Sequence, residues 1–454
     1  MFEVSPALHE ASGRSLPWSG ASLQNGYAER SEGDKRSSFA VMLIPGLTSL
    51  ADVGGEIFGY IDFDNEIYLA TATTLFSVSE AGTVTTHSAL PTGASSTVRM
   101  ATNLTQIGMV IENTGYIWDG STITAVPDLP DVTDVAFIDG YFAWTQADTG
   151  YFTITDINNG LIYDAADIAN AEGAPDNLIG LINDHRELQL YGTKTIEIWY
   201  NSGNADFPFS RQGNAFIERG CFAKESVVKL DNSVYFYGDD RIVYRLDGYT
   251  PIRVSTHAIE YQLRNCTEVA CFTYTHEGHK FYVINTDVGC FALDVSTNLW
   301  HRRKSRNRED WRVGGALSIW NTTAFIEKGG GNVYLADFDV FEEDGDPIEF
   351  EVTLPTIVSR DRGWQTMYAF EALFETGVGN SDAPAPLLSM SLSRDGGHSW
   401  SSWMERSCGS LGAVGEYATR AIWRKLGKFR QMNIRLSCTD PVRRFVMSYH
   451  VDVR

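Results

Sequence analysis

Apolar and aromatic residues along this chain fall in short bursts that follow Gly, Asn or Asp turns. They read LFSVS (75–79), YIWDG (116–120), LIYDA (161–165), IEIWY (196–200), IVYRL (242–246), CFALD (290–294) and VYLAD (333–337). Anchored on Phe76, Trp118, Tyr163, Trp199, Tyr244, Phe291 and Tyr334, they are spaced by 42, 45, 36, 45, 47 and 43 residues. A second strand-like run precedes each burst, as NSVYFYG precedes IVYRL and HKFYVINT precedes CFALD. Several strands per unit at a period of about 40–50 residues are the mark of a β-propeller. The pattern therefore predicts an all-β chain with a propeller-like region of six or seven blades. An irregular set of hairpins in two sandwiches is the competing reading. The WD-repeat and kelch consensus residues are absent.

The rhythm divides the chain into three parts. Residues 1–55 lack it and read as an N-terminal extended segment, with one apolar strand, FAVMLIPGL (39–47), ending in a Pro-Gly turn. Residues 56–351 form the propeller-like region. Within it, AADIANAEGAPDNL (165–178) reads as an inserted loop or short helix, and DFDVFEEDGDPIEFE (337–351) as a closing acidic linker. From 352 to 454 the strands lengthen and alternate, which predicts a separate C-terminal antiparallel β-module of sandwich type.

That module contains SRDGGHSW (393–400), an Asp box of the pattern S-x-D-x-G-x-[ST]-W. The motif is a hairpin turn between LLSMSL (387–392) and SWSSWM (399–404). Asp395 is placed to accept backbone hydrogen bonds, Gly397 to take a positive φ, and Trp400 to open the return strand. Ser393, Asp395, Gly397 and Trp400 are thus structural. None is a catalyst, although the motif is best known from sialidases.

Composition adds limits. Hydrophobic residues make up 43% of the 454, with 24 Phe, 20 Tyr and 11 Trp, so the chain is globular. The net charge of −22 argues against a protein that coats nucleic acid, because phosphate neutralisation supplies most of that affinity. A surface that repels DNA would suit a passage through which DNA slides, and a soluble acidic protein accounts for the charge at least as well. The six cysteines (221, 266, 271, 290, 408 and 438) form no C-x-x-C pair, and they read as reduced, mostly buried thiols. The first residues carry no apolar h-region, and no run approaches 18 apolar residues. Neither a signal peptide nor a membrane span is expected.

No G-x-S-x-G elbow, P-loop or H-E-x-x-H occurs, and no catalytic residue, metal or cofactor is expected. HEGH (276–279) reads as a solvated turn. Asp337, Asp339, Glu342, Glu343, Asp344 and Asp346 lack EF-hand spacing, so a solvated linker is preferred to a calcium site. The sharpest local feature is HRRKSRNR (301–308). It is either a solvated loop tip or a contact, through Arg302, Arg303, Lys304, Arg306 and Arg308, for an acidic neighbouring surface or for phosphates.

Residues 192–263 carry IEIW with Glu197 and Trp199, then NSG with Gly203, FPFSR, IERGC with Gly220, GDDRIVY with the following Gly248, and RVSTHAIE. This stretch resembles the packaged-DNA stabilisation protein, or tail hub (nozzle), of short-tailed bacteriophages. LQNGYAE, with Asn25, Tyr27 and Glu29, adds support. The resemblance implies a structural virion protein, assembled in the host bacterial cytoplasm and located in the tail. It implies a self-associated ring, usually a hexamer, below the portal and its head-to-tail adaptor. That ring would continue the DNA channel without specific binding, retain packaged DNA and hold a tail needle or plug and spikes or fibres. It implies no enzyme. The alternative is a β-propeller glycosidase or carbohydrate-binding protein. One Asp box, outside the repeats, argues against a sialidase, as does the lack of an arginine triad.

Overall fold

A computed structural model describes residues 2–4, 7–16, 20–30, 39–171, 173–359, 363–411 and 419–454. Among them, seven four-stranded antiparallel blades succeed one another, so the count left open by the spacing is seven. The first six span 57–89, 99–125, 132–170, 178–217, 228–253 and 269–303. The seventh joins Val313–Ile319, Thr322–Glu327 and Asn332–Asp337 to Gly46–Asp52, its outermost strand. The innermost strands neighbour one another in order, and the ring closes where Val313–Ile319 meets Ile57–Phe63. Between the fourth and fifth blades the short 3-10 turn Lys224–Ser226 bridges the gap.

The aromatic bursts have a physical cause. A middle strand of a blade is covered on both faces by its neighbours, so it is apolar throughout and does not alternate. Ile107–Ile111 and Cys290–Asp294 are buried at every position. Six of the seven aromatic anchors lie on the third strand of their blade. Tyr163 does not: it lies on the fourth, Asn159–Asn170, while the third strand there is Tyr151–Asp156. That fourth strand also runs into the segment expected to be a loop or helix, which is extended as far as Asn170.

The C-terminal module is a two-sheet sandwich. One sheet orders Gly26–Arg30, Phe39–Leu43, Phe445–Val453, Gln365–Phe374 and Ala421–Phe429, with Phe2–Val4 also on Phe445–Val453. The other orders Phe350–Thr353, Gln431–Cys438, Leu387–Ser393 and Met404–Ser407. Ser22–Gln24 pairs with Phe350–Thr353 on one side and, at Gln24↔Arg302, with the outer strand of the sixth blade on the other. The sixth blade and this sheet are therefore one continuous sheet. The N-terminal residues supply strands to the seventh blade and to both sandwich sheets. A single apolar cluster follows, running from Phe272, Trp311 and Tyr334 of the propeller to Phe350, Phe370 and Trp423 of the sandwich.

Candidate assembly interface

The basic stretch sits at the seam between propeller and sandwich. Its first half is strand, Leu299–Arg303, so successive side chains point to opposite faces. His301 and Arg303 point inward and are fully buried. His301 Nε2 lies 3.1 Å from the Leu8 carbonyl, and burial together with the Arg303 charge holds the ring neutral. Arg303 donates to the Gly26 carbonyl at 2.8 Å and lies over the Phe281 ring. It is a structural cation and offers nothing to a partner.

The outward-facing members are mostly paired within the chain. Glu309 takes both Arg302 and Lys304 at 3.1 Å, and Asp310 takes Arg308 at 2.8 Å and Lys328 at 2.8 Å. Arg306 is exposed and has no ion pair among the described residues. The loop thus presents one unpaired cation in place of a concentrated patch.

The acidic stretch is partly internal too. Glu343 is buried, accepts from Trp311 Nε1 at 2.7 Å and pairs with Leu47 of the seventh blade. Burial pushes its carboxyl up, against hydrogen bonds from Ser305 and Trp311 and the charge of Arg312. Ser305 belongs to the basic stretch, so the two stretches meet inside one chain. Asp339 and Asp344 remain exposed. No group of three metal-ligating side chains exists among the described residues.

HEGH is a tight hairpin, but its histidines are not solvated. His276 and His279 face each other in register and are buried, with His279 Nδ1 2.7 Å from Asp294 Oδ2.

The Asp-box segment is a tight turn held by its own side chains. Asp395 accepts from the Ser393 hydroxyl at 2.7 Å and the Ser399 N–H at 2.9 Å, and Gly397 has φ +94° and donates to Ser393. The return strand begins later than expected, at Met404, and Asp395 is exposed. Trp400 and Trp403 instead clasp Arg435 of the neighbouring strand, whose guanidinium carbon lies 4.5 and 4.7 Å from the two ring centres. This cation–π stack joins residues over thirty positions apart, so no local pattern in the sequence signals it.

The motif residues 197–248 build the fourth and fifth blades. Glu197 is buried and accepts from Trp199 Nε1 at 3.0 Å and from Gly173 N–H at 2.6 Å, with Arg211 3.6 Å away. Gly203 and Gly248 take positive φ in turns, and Gly220 packs against the backbone of Thr193.

Two family models match this chain in succession. Residues 17–339 match "Bacteriophage P22 Gp10, beta-propeller" and residues 352–454 match "Bacteriophage P22 Gp10, beta-sandwich". The chain belongs to the bacteriophage P22 Gp10 family. This is the packaged-DNA stabilisation, or tail hub, family, and its members are structural proteins of the phage tail. No protein with a curated description matches the chain by sequence. Similar solved structures include streptogramin B lyase, at 13% identity over 68% of this chain and 97% of that one, with a TM-score of 0.42. BamB from Moraxella catarrhalis is 12% identical over 70% and 100%, with a TM-score of 0.42. The computationally designed Ika8 protein is 14% identical over 63% and 99%, with a TM-score of 0.39. Among the described residues no helix is long and apolar enough to cross a membrane.

Proposed function

We propose that this Gp10-family protein is a ring-forming hub of a short-tailed phage tail. Six copies close below the portal and adaptor, continue the DNA channel, retain the packaged DNA and anchor the needle, spikes or fibres. The observation that carries this reading is the match of both family models, in order, along one chain. The continuous sheet across the propeller–sandwich seam supports it, because a subunit that transmits load from head to tail has to move as one body. A net charge of −22 supports a channel that DNA slides through without binding. The family assignment favours this reading over a glycosidase or carbohydrate-binding module.

Within the ring, the 301–308 loop contacts an acidic neighbouring surface, with Arg306 as the group that reaches it. The exposed Asp339 and Asp344 of another subunit are candidates for that surface. Electron microscopy of the purified protein and of isolated tails tests the assembly. A closed ring beneath the adaptor is expected. A stable dimer that never joins the tail overturns the proposal.

A further inference from the structure

All six cysteines are buried. Burial pushes the thiols of Cys221, Cys271 and Cys290 upward, as an inert interior thiol requires. Cys408 and Cys438 differ, because the two line one cavity together. Cys438 ends the interior strand Gln431–Cys438, opposite Phe350. Cys408 follows the edge strand Met404–Ser407, and its backbone is fixed on both sides. Its N–H donates to the Pro386 carbonyl at 2.9 Å, and its carbonyl accepts from Gly377 N–H at 2.9 Å. Both thiols line a cavity of about 20 Å3 with Phe350, Leu388, Val442 and Arg444. That is room for about one water-sized molecule.

Arg444 supplies the second observation. It is buried, and its Nη2 donates to the Asp440 carbonyl, while Nε and Nη1 have no hydrogen-bond partner. A buried cation without a carboxylate is costly unless another anion offsets it. The ionisable groups of this cluster are Cys438, Cys408 and the Asp440 carboxyl, and Arg444 acts on both thiols. The neighbouring Cys408, then the Arg444 charge, hold the Cys438 thiol below its ordinary range, while Cys408 is driven upward.

We propose that Cys408 and Cys438 are a redox-active pair that closes to an internal disulfide when the protein meets a small hydroperoxide. The Cys438 thiolate attacks one peroxide oxygen. The O–O bond breaks, hydroxide leaves, and Cys438 becomes a sulfenic acid. The Cys408 sulfur then attacks the Cys438 sulfur. The S–O bond breaks, and the hydroxyl departs with the Cys408 proton as water. In sum, two thiols and one hydrogen peroxide give one disulfide and two waters. Arg444 is a positioning residue that keeps the attacking sulfur ionised. The bond ties the segment after the sandwich's edge strand to its interior strand.

The test treats the folded full-length chain with dilute hydrogen peroxide at neutral pH, quenches it, alkylates in denaturant and maps the peptides without reduction. The expected product is a Cys408–Cys438 peptide pair lighter by two hydrogen atoms and reversed by dithiothreitol, with Cys221, Cys271 and Cys290 still alkylated. Arg444→Met should slow the cross-link roughly tenfold at neutral pH and move its pH midpoint upward, and Arg444→Lys should restore much of the rate. The unmodified chain decides the matter even if the variants fold poorly. Six free thiols after a treatment that oxidises a reference thiol would overturn the proposal. So would a cross-link that forms only in the denatured chain.

Discussion

The side chain of Asn25 holds the backbone of Lys304 from both sides. Its Nδ2 donates to the Lys304 carbonyl at 2.7 Å, and its Oδ1 accepts from the Lys304 N–H at 2.9 Å. The same Nδ2 donates to the Glu349 carbonyl at 3.0 Å, and the Asn25 N–H to the Arg302 carbonyl at 2.9 Å. One fully buried residue thus joins the N-terminal segment, the sixth blade and the linker to the sandwich. Its φ of +54° is one that Asn tolerates better than most side chains.

Asn25→Ala should therefore destabilise the chain by roughly 1–3 kcal/mol from unsatisfied backbone groups, with further cost from the backbone conformation. Asn25→Gly removes the hydrogen bonds and relieves the backbone, so the difference between the two variants separates the terms. Urea unfolding of both measures it. Unchanged midpoints would show that the clasp contributes nothing.

Charge reversal should separate the members of the basic stretch. Arg306→Glu leaves the melting temperature near that of the unmodified chain and lowers the protein's occupancy in tails. Arg303→Glu places a carboxylate in a fully buried site lined by the Phe281 ring, and should prevent folding. Thermal melts and tail gels read both effects. Normal occupancy of Arg306→Glu would remove the assembly role of the loop.

These two arginines differ through strand geometry, Arg303 being buried and Arg306 exposed, and the residue types alone do not show it. Six basic residues in eight look like a patch only while the stretch is treated as a loop. Extending the strand through Arg303 turns alternate residues inward, and Glu309 and Asp310, the next two positions, neutralise most of the rest. The blades were legible because a strand covered on both faces has to be apolar. The aromatic anchors slipped at Tyr163, where a long outer strand imitates a middle one. The turns are a truer ruler. Asp139-Gly140, His185-Arg186, Asp231-Asn232 and Glu277-Gly278 all have paired positive φ and recur every 46 residues. His-Arg is not a residue pair that announces such a turn, so the period was hidden. Strand Gly46–Asp52 begins where the sequence suggests a Pro-Gly turn, and its partner lies near 335, a range at which no local pattern reports pairing.

Acid should weaken the fold through His276. Burial, then the Arg303 and His279 charges, lower its pKa from 6.5 to about 4. Between those values the unfolded chain binds the proton and the folded chain does not, so stability falls as pH drops through that window. The loss is on the order of 3 kcal/mol when complete. His279, raised by its hydrogen bond to Asp294, acts oppositely, stabilising at low pH and losing that contribution as pH rises through its folded value. Stability curves at pH 7 and 4.5 for the unmodified chain and His276→Phe test this. The variant should show the smaller loss, and an equal loss would exclude His276 as the source.

The Asp-box turn should matter locally and nowhere else. Hydrogen bonds from the Ser399 hydroxyl and N–H, then from Ser393, hold the Asp395 carboxyl far below the usual range. Its contribution is present above the unfolded carboxylate pKa and is lost only as pH falls through that depressed value. Asp395→Ala should lower the melting temperature modestly, because the turn is exposed, and redden tryptophan emission as Trp400 loosens from Arg435. Robust hydrolysis of a sialoside by the unmodified protein, abolished in this variant, would overturn the structural role.

The motif glycines should fall into two classes. Gly248 has φ +58° with nothing within 4 Å of a Cβ, so Gly248→Ala costs only the left-handed conformation, roughly 1–2 kcal/mol. Gly203, at φ +69° and equally open, should behave alike. Gly220 is different. A Cβ there would overlap the carbonyl of Thr193 and the N–H of Lys194, which are backbone and have no side-chain freedom to move aside. The Gly220 N–H donates to Asp239 at 3.2 Å, and the bridge Cys221↔Gly238 follows at once, so the segment is pinned where the fourth blade hands over to the fifth. Gly220→Ala therefore has to push the connection between the blades off the Thr193–Lys194 turn of the fourth blade, at a cost of roughly 3 kcal/mol or more. Hydrogen exchange in the variant should rise first in strands Ile196–Asn201 and Ser233–Tyr237, on either side of the junction. Equal destabilisation by Gly220→Ala and Gly248→Ala would mean that conformation alone selects glycine at both positions, and that close packing against the Thr193–Lys194 turn does not.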